Sequence, residues 1–160
     1  MGCGKTSVGR VLADRLGWDF VDLDQVIVEE AGTSIKEIFS SQGEPAFRAW
    51  ETLALRRVAE RESQVVSTGG GAVIAEENRN TMRAAGKIVN LTASVEAIAA
   101  RVAGDSERPL LAADASLERI ARMLESRQRF YADADLRIDT TAKTVQAVAD
   151  QVLDSLKGLL

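Results

Sequence analysis

Apolar positions recur along the chain at helical spacing, and glycines interrupt them at short intervals. Val8, Val11, Leu12 and Leu16 predict one helix, stopped by Gly17. Residues 25–31 predict a second, stopped by Gly32. Ser34, with Glu37 three residues on, predicts a capped helix start. Gln42-Gly43-Glu44-Pro45 then breaks the chain, and Pro45 suits the first turn of a new helix. In that helix Phe47, Trp50, Ala54 and Val58 share an apolar face, with Arg48 and Glu51 expected opposite its centre. Residues 76–85, 94–103 and 117–131 predict three further helices, and Val145, Val148, Val152 and Leu156 mark a last one. Residues 19–24, 64–68, 87–91 and 136–138 lack the helical period and read as short strands. The stretch 104–115 is polar and irregular and reads as a loop. Strands alternating with helices predict a parallel sheet covered on both faces.

Composition narrows the chemistry. The 160 residues suit one domain, and 46% hydrophobic with 28% charged residues is globular. Aromatics are only 4%, so the core must be mostly Val, Ile, Leu and Ala. A net charge of −4 argues against nucleic-acid and anionic-membrane partners. Cys3 is the single cysteine and there is no histidine. An intramolecular disulfide, a Cys/His zinc site and histidine acid–base catalysis are therefore excluded. No apolar run reaches membrane-spanning length, and a cytoplasmic protein is expected.

Five clusters carry candidate chemistry. Gly4-Lys5-Thr6 before an amphipathic helix matches the end of a phosphate-binding loop, G-x-x-x-x-G-K-[ST]. Glycines there turn backbone N–H groups toward phosphate, and the helix N-terminus adds its dipole. Lys5 can reach the outer phosphates and the Thr6 hydroxyl can ligate Mg²⁺. Cys3 stands at a variable loop position and reads as a small spacer. Asp22 and Asp24 flank Leu23, and strand alternation would put both carboxylates on one side. Such a pair can hold a metal and deprotonate a hydroxyl, although a helix cap or a solvated strand end explains it too. Arg48 and Glu51, at i and i+3, read either as a surface ion pair or as an arginine held to bind an anion. Gly69-Gly70-Gly71 after a strand suggests close approach of a ligand to the main chain. Arg108, in the irregular loop, can close over a transferring phosphoryl group.

Together, Gly2-Cys3-Gly4-Lys5-Thr6, Phe20-Val21-Asp22-Leu23-Asp24, Phe47-Arg48…Glu51, Gly69-Gly70-Gly71, Arg108-Pro109-Leu110-Leu111 and Arg127…Tyr131 resemble the shikimate kinase family, in its order and over the whole chain. The resemblance implies an α/β, three-layer P-loop kinase fold. In that fold a five-stranded parallel sheet is flanked by helices, with a substrate-binding region near 24–62 and a lid near 104–115. It implies phosphorylation of the 3-hydroxyl of shikimate by ATP, on the way to chorismate and the aromatic amino acids, by a monomer. Gly2, Cys3, Gly4, Lys5, Thr6 and Ser7 would hold the ATP phosphates. Thr6 and Asp22 would serve Mg²⁺. Asp24 would meet the shikimate hydroxyls and act as base. Arg48 and Arg127 would grip the carboxylate, with Gly69, Gly70 and Gly71 beside the ring. Arg108 would be the lid arginine, Arg101 would pack on adenine, and Lys143 falls near another adenine-side position. Two other readings stand beside it: another small-molecule P-loop kinase, such as a gluconate kinase, and a catalytically silent nucleotide-binding module.

Against the resemblance, the first loop glycine and the strand feeding it are missing ahead of Met1, about ten residues by the length of a strand and half a loop. Loss of that strand would open a groove in the sheet. The true start is expected upstream of Met1; an N-terminal mass matching Met1 in the natively expressed protein would contradict this.

Overall fold

The computed structural model describes residues 2–102 and 116–157, so the expected lid and Arg108 lie outside the described residues. Among the described residues, helices and strands alternate. They are α1 (Lys5–Leu16), β1 (Asp19–Asp22), α2 (Leu23–Ala31), α3 (Ile35–Ala59), β2 (Gln64–Ser67), α4 (Glu76–Ala85), β3 (Val89–Thr92), α5 (Val95–Val102), α6 (Leu117–Tyr131), β4 (Leu136–Asp139) and α7 (Val145–Lys157). A short 3₁₀ turn, Ala72–Ile74, follows the triple glycine and was not foreseen.

The predicted punctuation holds. Gly17 and Gly32 end α1 and α2 at φ 66° each, a left-handed conformation that costs glycine nothing. The Ser34 hydroxyl accepts the Glu37 N–H at 3.1 Å and caps α3. Gly43, at φ 83° and ψ 173°, breaks α3, and the chain resumes its helix at once with Pro45 in the following turn.

One expectation needs correction. The strand read over 19–24 ends at Asp22, and Leu23 and Asp24 already belong to α2. The strands form two separate parallel pairs, β1 with β2 and β3 with β4, which matches the groove expected in a parallel sheet without its first central strand. Among the described residues, no strand lies between the pairs to join their hydrogen bonds. A cavity of about 240 Å³ runs along β3, lined by Asn90, Leu91, Thr68, Gly69, Leu124 and Tyr131 among others.

Packing ties the pairs together. Val65 and Val66 alternate across β2 and enter different clusters. Val66 joins Leu23, Ile27, Ile38, Phe47, Ala54 and Val58 beneath α2 and α3. Val65 joins Val8 and Leu12 of α1, Val148 and Val152 of α7, and Val89, Leu91 and Ile138 of the other pair. α1 therefore bridges both pairs through one core. A third cluster seats Cys3 against Ile98, Val102 and Ile120. No described helix is long and apolar enough to cross a membrane.

Ile27 is fully buried while its neighbour Val28 is 37% exposed. Ile27→Ala should cost about 2–5 kcal/mol through the cavity it leaves. Val28→Ala should stay within about 0.5 kcal/mol of the parent. Urea unfolding of both variants checks the contrast.

Candidate active site

The carboxyl ends of β1 and β2 and the start of α1 converge on one depression, as expected for parallel α/β folds. Gly2 and Gly4 are left-handed, at φ 59° and 81°. A Cβ on Gly2 would stand 3.1 Å from Ile98 and 3.2 Å from Val102, so α5 presses directly on the loop. Gly4 is the N-cap of α1 and makes no side-chain cap bond, so the first-turn amides remain donors for an anion. Cys3 is buried beneath the loop, as its spacer reading requires.

Lys5, Thr6, Ser7, Asp22, Asp24 and Ser67 line a cavity of about 190 Å³ at this point. The Thr6 hydroxyl donates to Asp22 Oδ2 at 3.1 Å, and Asp22 Oδ1 accepts the Asp24 N–H at 3.1 Å. Asp22 is thus the N-cap of α2, and Asp24 sits in its first turn. The two carboxylates meet the cavity by capping geometry, where strand alternation was expected, because Leu23 is drawn fully into the core and starts the helix there.

Beside this cavity lies a charged cradle. Arg48 donates Nη1 to Glu51 Oε2 at 2.8 Å, and Nε and Nη2 to Glu44 Oε1 at 3.3 and 3.0 Å. These bonds use three of the five guanidinium N–H groups and leave one on each terminal nitrogen, the arrangement that grips a carboxylate. Glu51 is only 1% exposed, which corrects its expected place opposite the apolar stripe. It follows Phe47 by one helical turn and precedes Ala54, Leu55 and Val58, all buried. Burial pushes its carboxyl above the ordinary value; Arg48, and more weakly Arg127, pull it down, and the charge of Asp24 adds to the rise.

The triple glycine closes the cradle. A Cβ on Gly69 would stand 2.9 Å from Glu51 Oε1 and 3.5 Å from Asp24 Oδ1, and one on Gly71 would overlap the Arg48 guanidinium. The Tyr131 hydroxyl donates to the Gly70 carbonyl at 2.6 Å. Arg127, one turn earlier on α6, is near enough for its charge to act on both Tyr131 and Glu51. The structure therefore brings Asp24, Arg48, Gly69, Gly71 and Arg127 together.

The adenine-side residues are less gathered. Arg101 donates to the Gly2 carbonyl and the Thr140 hydroxyl at 3.0 Å each, and to the Thr140 carbonyl at 3.0 Å. It is placed at the phosphate loop. Lys143 gives its ammonium to Gln151 of α7 at 3.0 Å. Sequence reasoning missed Ser67 and Thr140. Ser67 pairs in register with Asp22, and its one signal was a polar residue ending an apolar strand. Thr140 is buried and donates to the Thr92 carbonyl at 2.9 Å, which joins the two residues that follow or end the β3–β4 pair.

Comparison with known proteins agrees with this geometry. A family model described as shikimate kinase matches residues 1–157. The chain is 56% identical to a shikimate kinase of Geobacter metallireducens, over 99% of this chain and 88% of that one. It is 42% identical to one of Moorella thermoacetica, over 100% and 92%. Among solved structures it is similar to shikimate kinase from Acinetobacter baumannii in complex with shikimate, at TM-score 0.95 and 34% identity, covering 99% of this chain and 89% of that one. The shikimate kinase of Bacteroides thetaiotaomicron gives TM-score 0.90 and 32% identity, with 98% and 94% covered.

Glu51 also generates a pH prediction. The folded state holds its proton more tightly than the unfolded chain does. Ionisation therefore removes stability as pH rises from the ordinary 4.5 through the raised value. Glu51→Gln cannot ionise, so its melting temperature should gain on the parent's across that interval. A difference that stays constant from about pH 4 to about pH 8 would contradict the assignment.

Proposed function

The chain belongs to the shikimate kinase family, and on that premise we propose how its own residues carry the reaction. The activity is ATP-dependent phosphorylation of the 3-hydroxyl of shikimate, with Mg²⁺. One observation carries the assignment of residues. The glycine segment rests against the paired Arg48 guanidinium and Glu51 carboxylate and against Asp24, directly beside the loop of residues 2–7. A small anionic polyol needs a cation for its carboxylate and an acceptor for its hydroxyl, and this cradle offers both within reach of a phosphate site.

Lys5 and the backbone N–H groups of Gly2, Cys3, Gly4, Thr6 and Ser7 hold the phosphates of ATP. Thr6 and Asp22 fit Mg²⁺, since they present a hydroxyl and a carboxylate side by side, both hard oxygen ligands. The described residues hold no cluster of three or more His, Cys, Asp or Glu able to cage a metal, which suits an ion that keeps water and phosphate oxygens as ligands. When bound, Mg²⁺ neutralises charge on the phosphates. Arg48 and Arg127 orient shikimate through its carboxylate, with Gly69, Gly70 and Gly71 against the ring. Asp24 takes the proton of the 3-hydroxyl as its oxygen bonds to the terminal phosphorus. The bond from that phosphorus to the bridging oxygen breaks, and ADP leaves with the electron pair. Arg108 completes the charge stabilisation from the lid near 104–115, while Arg101 and Lys143 serve the adenine side. We read the enzyme as a one-domain cytoplasmic monomer; its net charge of −4 disfavours nucleic-acid and anionic-membrane partners.

A coupled assay with ATP should show ADP release that depends on shikimate. Release with gluconate alone would favour a different kinase, and nucleotide binding without turnover would favour a silent module. Asp24→Asn should lower kcat by about 10²–10⁴-fold, because it removes the base and keeps its shape. Arg48→Ala should weaken shikimate binding by roughly 2–5 kcal/mol. An unchanged KM for shikimate in Arg48→Ala would refute the carboxylate assignment.

A further inference from the structure

The roles above leave Tyr131 unused. It is the last residue of α6 and the chain's single tyrosine. Its hydroxyl reaches across the fold to the Gly70 carbonyl at 2.6 Å. Burial raises its pKa, against the opposing charge of Arg127, so the hydroxyl stays protonated and remains a donor.

The same helix end is fastened to the chain that follows the glycines. The Arg79 guanidinium lies 5.0 Å over the Phe130 ring and donates to the carbonyls of Val73 and Ile74 at 2.8 and 2.9 Å. Asp133 pairs with Arg79 at 3.9 Å and with Arg83. α6 thus grips both the glycine segment and the turn after it.

The Ala72 N–H donates to the Gly69 carbonyl at 3.1 Å and closes a turn whose central peptide is Gly70–Gly71, but with glycine at both central positions that bond permits either orientation of the peptide plane. The Gly70–Gly71 peptide is trans, like every peptide bond among the described residues. In a trans peptide the carbonyl and the N–H point in opposite directions. Pinning the Gly70 carbonyl on Tyr131 therefore also aims the Gly71 N–H away from Tyr131. Gly71 is the residue on which a Cβ would overlap Arg48. The pinned peptide is thus part of the wall beside the guanidinium.

We propose that Tyr131 is a positioning residue for substrate recognition: by holding the Gly70 carbonyl it orients the Gly70–Gly71 peptide beside Arg48 and so shapes the seat of the anionic substrate. The proposal rests on the assignment of this cradle to shikimate. Its physical core, the pinned peptide, is independent of that assignment.

Tyr131→Phe removes one oxygen and keeps the ring. Amide hydrogen exchange should accelerate at residues 70–72 in this variant and stay unchanged in α1. The KM for shikimate should rise about tenfold, with kcat within about threefold and the KM for ATP unchanged. Unchanged exchange at 70–72 would overturn the pin. A shikimate KM within about twofold of the parent, or equal losses for both substrates, would overturn the recognition role. Shikimate-dependent ADP release by the parent chain decides the underlying function separately, whichever way the variant behaves. A measurement on the parent alone needs no variant to fold. Tyrosinate absorbance should appear only above the ordinary value of about 10; ionisation at or below that value would overturn the buried donor.

Discussion

A carboxylate taken almost wholly out of water organises this site. Glu51 is 1% exposed, and such a charge is tolerated only when a cation answers it at close range. Arg48 does so at 2.8 Å, and the requirement works in both directions. Glu51 fixes where the guanidinium lies, and the guanidinium then faces the glycine segment with one N–H free on each terminal nitrogen. The second oxygen of Glu51 faces Gly69, so closely that a Cβ would stand at 2.9 Å. The triple glycine and the buried ion pair are therefore one constraint seen from two sides: neither could keep its geometry if the other changed.

The rest of the fold delivers parts to that point. The break at Gly43 lets α3 start afresh with Pro45, and the renewed helix carries Arg48 and Glu51 down onto the core. β1 and β2 run parallel in register, so Asp22 and Ser67 end level with each other. Leu23 then plunges into the core and starts α2, which turns Asp22 into a cap and brings Asp24 to the cavity. α1 presents uncapped first-turn amides to the cavity and also joins the two strand pairs through Val8 and Leu12. α6 brings Arg127 and Tyr131 from the other side. The charged cradle around Arg48 and the cavity at the start of α1 are thus held by different packing clusters that meet at residues 67–71.

Much of this was legible in residue order. Helix ends at Gly17 and Gly32 follow from left-handed φ, and the cap at Ser34 follows from hydrogen-bond chemistry within three residues. The extent of α6, Leu117–Tyr131, and of α4, Glu76–Ala85, matches the periodicity. The phosphate loop was legible because a local glycine–lysine–threonine pattern serves a local purpose. Short-range partners were legible too, since Arg48 meets Glu51 at 2.8 Å as their i, i+3 spacing suggests; what failed was the judgement of which side chains would be buried. Glu51 was placed opposite the apolar stripe because a charge is normally solvated, yet its spacing from Phe47, Ala54 and Val58 puts it on the buried face.

The sequence by itself determined the alternation of helix and strand, the helix ends and the family, and it named the residues proposed for the phosphate loop and the anion cradle. These rest on short-range rules: period, capping, glycine freedom and motif spacing. Only the tertiary structure decided that Asp22 caps Asp24, that Glu51 is buried under Gly69 and that Tyr131 holds the Gly70 carbonyl. Each of these joins groups through burial or a hydrogen bond whose partner is chosen by packing. Distance along the chain does not encode such choices, because the free energy of a buried charge or donor depends on everything that surrounds it.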